Sequence, residues 1–319
     1  MAATDQAWLR HVPVTLFTVV MGLAGFTLAL RAGEASLGLT HGLSTAAHVL
    51  SMTVFGAVSL AYLAKAARHP GAVAEEWRHP VKLAFFPAIS IALVLMSVVM
   101  LATAPVLAHV MWLVAVPMQV ILTLAVVSGW IGTRAFQHGH LSPAWFIPAV
   151  GNVIVAIAGV PLGYVEISWF FASVGLIFWI VLLTLVMNRL IFHDPLSERL
   201  QPSLVILIAP PSVGFLAWQQ LVGVDAFARV LLNTAYFFVL IVAVQLPQLA
   251  KLRFSLAFWA LSFPIAGVTI ASFAYSEAVG SVAHRGIGGL LLALLSIIIV
   301  GLLWRTLRAL LAGEIFLPD

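Results

Sequence analysis

The chain has no cysteine among its 319 residues, so disulfides, thiolate metal ligands and thiol chemistry are excluded outright. It is also poor in charge. Its 15 Lys and Arg and 11 Asp and Glu make up 8% of the residues, against the ~25% usual in soluble domains. So little polar surface cannot clothe a water-soluble fold of this length. A separate soluble catalytic domain, a secreted disulfide scaffold and a nucleic-acid binder are thereby removed. What is abundant is apolar: 63% of the residues are hydrophobic and the mean hydropathy is +1.13. Only helices or closed barrels satisfy every backbone group in lipid, and apolar runs this long are helices. The composition is that of an all-α integral membrane protein.

At ~20 residues per spanning helix plus short connections, the length accommodates about ten spans. Apolar runs bounded by charged, Pro or Gly clusters place them at 13–31, 43–67, 80–103, 107–135, 143–162, 166–192, 202–222, 225–249, 256–276 and 282–312. The first run is longer than a signal h-region, and Asp5 with Arg10 makes a poor positive n-region, so it reads as a retained helix. The longest polar stretch, from Lys65 to Lys82, is too short to fold alone, so residues 1–319 read as one transmembrane domain.

Basic residues orient the set. Arg10, Lys65, Arg68, Arg78, Lys82, Arg134, Arg189, Arg199, Lys251, Arg253, Arg305 and Arg308 all fall on one side; only Arg31, Arg229 and Arg285 fall on the other. Cytoplasmic loops carry the excess of Lys and Arg, so both termini are expected inside and the odd-numbered spans run outward.

The odd spans carry a repeat. Span 3 has Phe86-Pro87 and then Ser90; span 5 has Ile147-Pro148 and then Gly151. Span 7 has Pro210-Pro211 and then Gly214, and span 9 has Phe263-Pro264 and then Gly267. Span 1 offers Met21-Gly22 and then Gly25. The anchors at 22, 87, 148, 211 and 264 lie 65, 61, 63 and 53 residues apart, each interval being one outward helix, one return helix and two turns. A proline inside a helix removes a backbone bond and kinks it, and in lipid such a kink favours the protein interior or an aqueous cavity. A small residue one turn on lets backbones approach or leaves room for a lumen. The repeat predicts five quasi-symmetric helical hairpins around a central pore, the kinked odd spans inside and the even spans facing lipid.

No charged residue falls near the middle of a span, whereas proton relays and ion sites in membranes usually need one. His48, His109 and His284 lie near the outer helix ends, where structural histidines outnumber haem or metal ligands. No pattern calls for a cofactor or metal. Paired carboxylates, an HExxH run and a Ser/Lys dyad at membrane depth are all missing, so the chain does not read as an enzyme. Inside remain Gln119, Asn152, Asn188, Asn233 and scattered Ser and Thr; Asn152 either faces the lumen or bonds a neighbouring helix. An apolar pathway without a strong site suits fast passage of an anion, with a hydrophobic constriction as its gate. Phe86 and Phe263, each just before a repeat proline, are the bulky candidates for that constriction. Arg78, Lys82, Arg134 and Arg253 either gather anions at the inner mouth or merely obey the positive-inside rule.

These residues resemble the tellurite-resistance and dicarboxylate transporter family, which includes bacterial tellurite-resistance proteins and plant slow-type anion channels. The likeness rests on 13–25 in span 1, His79-Pro-Val-Lys82 before span 3, and 142–152 in span 5. Leu207-Ile-Ala-Pro210 in span 7 and Trp259-Ala-Leu-Ser-Phe-Pro264 in span 9 complete it. The resemblance implies a multi-pass protein of the bacterial inner membrane, a homotrimer with one pore per protomer, and a gate at Phe263. Bacterial members can carry glycine where Pro264 follows that gate, so the backbone is held more firmly here. The partners implied are membrane lipid and small inorganic or organic anions, passed through a channel. The alternative is a carrier for malate-like C4-dicarboxylates, sulfite or tellurite oxyanions.

Overall fold

A computed structural model describes residues 7–132 and 136–316; Arg134 lies outside them. Among the described residues the elements are helices alone. They are α1 (Ala7–Arg10), α2 (Phe17–Leu37), α3 (Gly42–Arg68), α4 (Pro70–Arg78), α5 (Pro87–Met100), α6 (Pro105–Ile131) and α7 (Phe146–Gly159). There follow α8 (Val165–Phe192), α9 (Ala209–Leu221), α10 (Ala226–Leu249), α11 (Ser262–Val279) and α12 (Val282–Leu311). Nine described stretches are long and apolar enough to cross a membrane, so the protein is a multi-pass helical membrane protein. The expected fifth span is shorter, Pro143–Gly159. Its 3 residues of 3-10 turn and 14 of α-helix rise roughly 27 Å, a little under the ~30 Å hydrocarbon core.

Packing sorts the helices into two sets. α2 touches α5, α5 touches α7, α7 touches α9, α9 touches α11, and α11 returns to α2. Each of these packs in turn on the helix that follows it among α3, α6, α8, α10 and α12. Between 67% and 78% of the apolar stretch is buried in the segments of α2, α5, α9 and α11, against 22–39% in the outer set. Leu60, Ile121, Ile177, Leu240 and Ile297 stand out from the outer helices as a lipid-facing surface. Gly38 and Gly280 take left-handed backbone (φ 66° and 68°) where α2 and α11 end, closing tight turns into α3 and α12.

The inner segments share a local feature that the prolines dictate. Each opens as a 3-10 turn and converts to α-helix partway: Val14–Leu16 into α2, Lys82–Phe85 before α5, Pro143–Trp145 into α7, Gln201–Ile208 into α9 and Leu256–Leu261 into α11. The repeat prolines sit in the first turn of the α part, where a missing N–H costs nothing. The expected kink is therefore a change of helix type. Tighter winding before the proline avoids the i−4 bond that its ring forbids.

The Lys65–Lys82 stretch, too short for a domain, forms α4, and its polar residues turn inward. Lys65 and Glu76 are 2% and 6% exposed and meet at 2.8 Å. The Lys65 Nζ also donates to the Val12 carbonyl (2.7 Å); the Glu76 carboxylate accepts from Tyr62 OH (3.0 Å) and from the Val14 N–H (3.1 Å). One buried ion pair thus ties the chain entering α2, the end of α3 and the whole of α4 together.

Candidate functional site

A cavity of about 40 Å³, room for a single water-sized particle, lies at the level of the 3-10/α junctions. All five inner segments wall it: Thr18 and Met21, Phe85, Ile147 and Val150, Ile206 and Ala209, and Trp259, Ala260, Phe263 and Pro264. No charged group lies in this wall. Thr18, its one hydroxyl, donates to the Thr15 carbonyl at 2.6 Å and so is already engaged. Trp259 turns its ring to the cavity and its N–H away, donating to Thr306 Oγ1 of α12 at 2.9 Å. The site can hold a small particle without binding it tightly, and it excludes hydrated ions by size and by lack of polar partners.

Of the residues singled out by the repeat, Phe263 and Pro264 are in this wall. Phe85 reaches the cavity from the α5 segment, while Phe86 turns out to meet the Trp77 ring edge-on at 4.8 Å. Ala209 lines it from α9; Pro210 and Pro211 are buried beside it, as are Pro87 and Pro148 in α5 and α7. The glycines serve close helix approach. A Cβ at Gly25 comes within 2.9 Å of Ala266 Cβ and 3.2 Å of Phe263 Cδ2, so α2 is the backstop of the Phe263 ring. One at Gly151 meets Ile91 at 2.7 Å, one at Gly214 meets Leu176 at 3.1 Å, and one at Gly267 meets Ser212 at 3.3 Å. A Cβ at Gly22 lands on Ser262, 2.8 Å from its Cβ, and 3.0 Å from Trp259 Cε3. Gly22→Ala is accordingly expected to cost about 1–3 kcal/mol by overpacking. A thermal melt of purified protein in detergent checks it, and an unchanged melt shows that α2 and α11 have slack.

The membrane-buried amides are structural. Gln119 accepts from Ser90 Oγ (2.7 Å) and donates to Thr123 Oγ1 (3.0 Å) and the Pro148 carbonyl (3.3 Å). Asn152 donates to the same carbonyl, one turn back in its own helix, at 3.0 Å and to Thr123 Oγ1 of α6 at 3.4 Å, and this second contact favours a bond to a neighbouring helix. Outside the spans' centres, His109 pairs with Tyr164 OH (2.8 Å) and His284 with Ser281 Oγ (2.7 Å). Among the described residues no group of three or more His, Asp or Glu could hold a metal. Arg78 and Lys82 stand at the basic end of the bundle, outside the cavity wall. Sequence reasoning named Met21 and Ile147 as repeat positions but not as wall residues, and it missed Phe85, Val150, Ile206 and Ala260 altogether.

Such a molecule is a polytopic membrane protein with a small, largely apolar, uncharged cavity among its inner helices. Residues 11–307 match the family described as voltage-dependent anion channel, and the chain belongs to that family. It is 26% identical to the S-type anion channel SLAH2 of Arabidopsis thaliana over 88% of this chain and 56% of that one. With the guard cell S-type anion channel SLAC1 of the same plant it shares 25% identity over 89% of this chain and 53% of the relative. The tellurite resistance protein TehA homolog of Haemophilus influenzae is 24% identical over 96% and 93% of the two chains. The chain thus spans about half the length of the plant relatives.

Proposed function

We propose that this chain is an anion-selective membrane channel, a single transmembrane domain over residues 1–319. Its ten spans form five quasi-symmetric hairpins around a central pore that Phe263 closes. The observation that carries this reading is the apolar cavity walled by all five inner segments, with the Phe263 ring in its wall. A constriction of this kind gates by keeping water and ions out, and once it opens, the lack of a tight site lets an anion leave. The excess of Lys and Arg at one end supplies the field that draws anions in. The same excess supports cytoplasmic termini, and the family resemblance supports a homotrimer in a bacterial inner membrane. Pro143–Gly159 serves as the tenth span.

The second reading is a carrier of C4-dicarboxylate, sulfite or tellurite oxyanions, favoured by the likeness to a tellurite resistance protein. A coupled carrier needs a protonatable or cationic group along its path, and the cavity wall offers none. The test is current through purified protein in planar bilayers under chloride, nitrate and malate gradients, wild type beside Phe263→Ala. Reversal potentials that follow the small anions support the channel. No current from either protein, with malate or sulfite uptake into liposomes under a proton gradient, replaces it with the carrier.

A further inference from the structure

Four exposed cations gather where α10 runs into the 3-10 turn of α11 and where α12 ends: Lys251, Arg253, Arg305 and Arg308. The Arg305 guanidinium stands 6.0 Å from the centre of the Phe254 ring, next in sequence to Arg253, which brings the two segments to one corner. Elsewhere at the basic end, Arg10 pairs with Glu75, Lys65 with Glu76, and Arg189 donates to the carbonyls of His138 and Asp194. Around these four, no carboxylate comes within 4.0 Å among the described residues. The C-terminal ends of α10 and α12 contribute only about −0.5 charge each, too little to balance four positive charges. Alongside the arginines, α12 presents Trp304, Leu307 and Leu311, 61%, 49% and 80% exposed, an apolar face continuous with the lipid-facing side of that helix.

A cationic corner on a greasy, aromatic-flanked helix end has the chemistry of a phospholipid phosphate above its acyl chains. We propose that Lys251, Arg253, Arg305 and Arg308 bind the headgroup of an anionic phospholipid, and that this occupancy is transmitted to the central cavity. The link is Thr306, which lies between the two arginines and accepts the Trp259 N–H, while the Trp259 ring walls the cavity beside Phe263. A headgroup that fixes the end of α12 fixes Trp259 and holds the cavity closed. The binding half stands independently of function; the transmitted half rests on the channel reading above.

Native mass spectrometry of the detergent-solubilised protein, titrated with phosphatidylglycerol or phosphatidylcholine, tests the first half. Wild type is expected to retain phosphatidylglycerol preferentially. Arg305→Gln/Arg308→Gln loses that binding about 30-fold, roughly fivefold per basic residue, while Arg305→Lys/Arg308→Lys keeps most of it. Equal retention of both lipids, equal binding by the Gln variant, or displacement by free glycerol phosphate at matched concentration overturns the lipid site. Anion flux from vesicles with and without phosphatidylglycerol tests the second half. Surface charge slows every protein alike, so the readout is the further slowing of wild type, which Arg305→Gln/Arg308→Gln and Thr306→Val both abolish. If lipid binds as expected and the flux ratios coincide, the transmission is overturned and the site stands. If lipid binds and no protein carries anions in either vesicle, it is the channel reading that fails.

Discussion

Phe263→Ala is expected to raise anion conductance at least about tenfold, the factor that each ~1.4 kcal/mol of barrier is worth. The ring belongs to the wall of a cavity near 40 Å³ whose other lining residues are apolar save Thr18. Truncation to a methyl removes the largest side chain that α11 contributes at the start of its α part, and enlarges the cavity. Phe263→Leu should fall between, because a branched aliphatic side chain fills part of the space and leaves the wall equally dry. Phe85→Ala, across the cavity on the α5 segment, is expected to act in the same direction with a smaller effect, since only α11 places two aromatic rings there. Single-channel recording in symmetric chloride measures all three. An alanine variant that conducts like wild type places the barrier elsewhere and removes Phe263 from the gate.

The second large effect lies away from the cavity. Glu76→Ala is expected to destabilise the protein by about 3–5 kcal/mol, because it leaves the ammonium of Lys65 buried with a lone carbonyl for company. Tyr62 OH and the Val14 N–H lose their acceptor in the same stroke. The loss falls on the segment that leads into α2 and on α4, whose Trp77 packs on Phe86. The double variant Lys65→Met/Glu76→Leu removes both charges at similar volume and should recover much of the loss, since the desolvation cost disappears with the pair. Apparent melting temperatures in one detergent, scanned at one rate, compare the three proteins. A Glu76→Ala protein that melts with wild type shows that water reaches Lys65 and that the pair is not the clamp described.

Why the repeat found some cavity residues and missed others is in part a matter of phase. Pro148, Pro211 and Pro264 stand third in their α-helices, whereas Pro87 stands first. Reading one residue back from the anchors lands on the cavity at Met21, Ile147 and Phe263, but on Pro210, one residue past the wall residue Ala209, in α9 and on the outward-turned Phe86 in α5. A single residue is about 100° of rotation at 3.6 residues per turn, and a 3-10 turn before the junction shifts the angle again. Gly22 and Gly25 were legible as repeat positions. Their function as the floor under Ser262 and the stop behind Phe263 was not, because close approach is a property of two helices distant in sequence.

By itself the sequence determined the class. Composition excluded soluble, thiol and nucleic-acid chemistry, apolar run length placed ten spans without showing that the fifth is short, and regular spacing marked Phe86 and Phe263 alike. These are properties of local composition, and burial in lipid depends on little else. The tertiary structure alone decided which face of each inner helix looks at the cavity and that Lys65 and Glu76 turn inward as a pair. It also decided that Trp259 hangs from Thr306. In a membrane the lipid side and the packed side of a helix are equally apolar, so no contrast along the chain marks the inward face, and only the contacts between helices assign it.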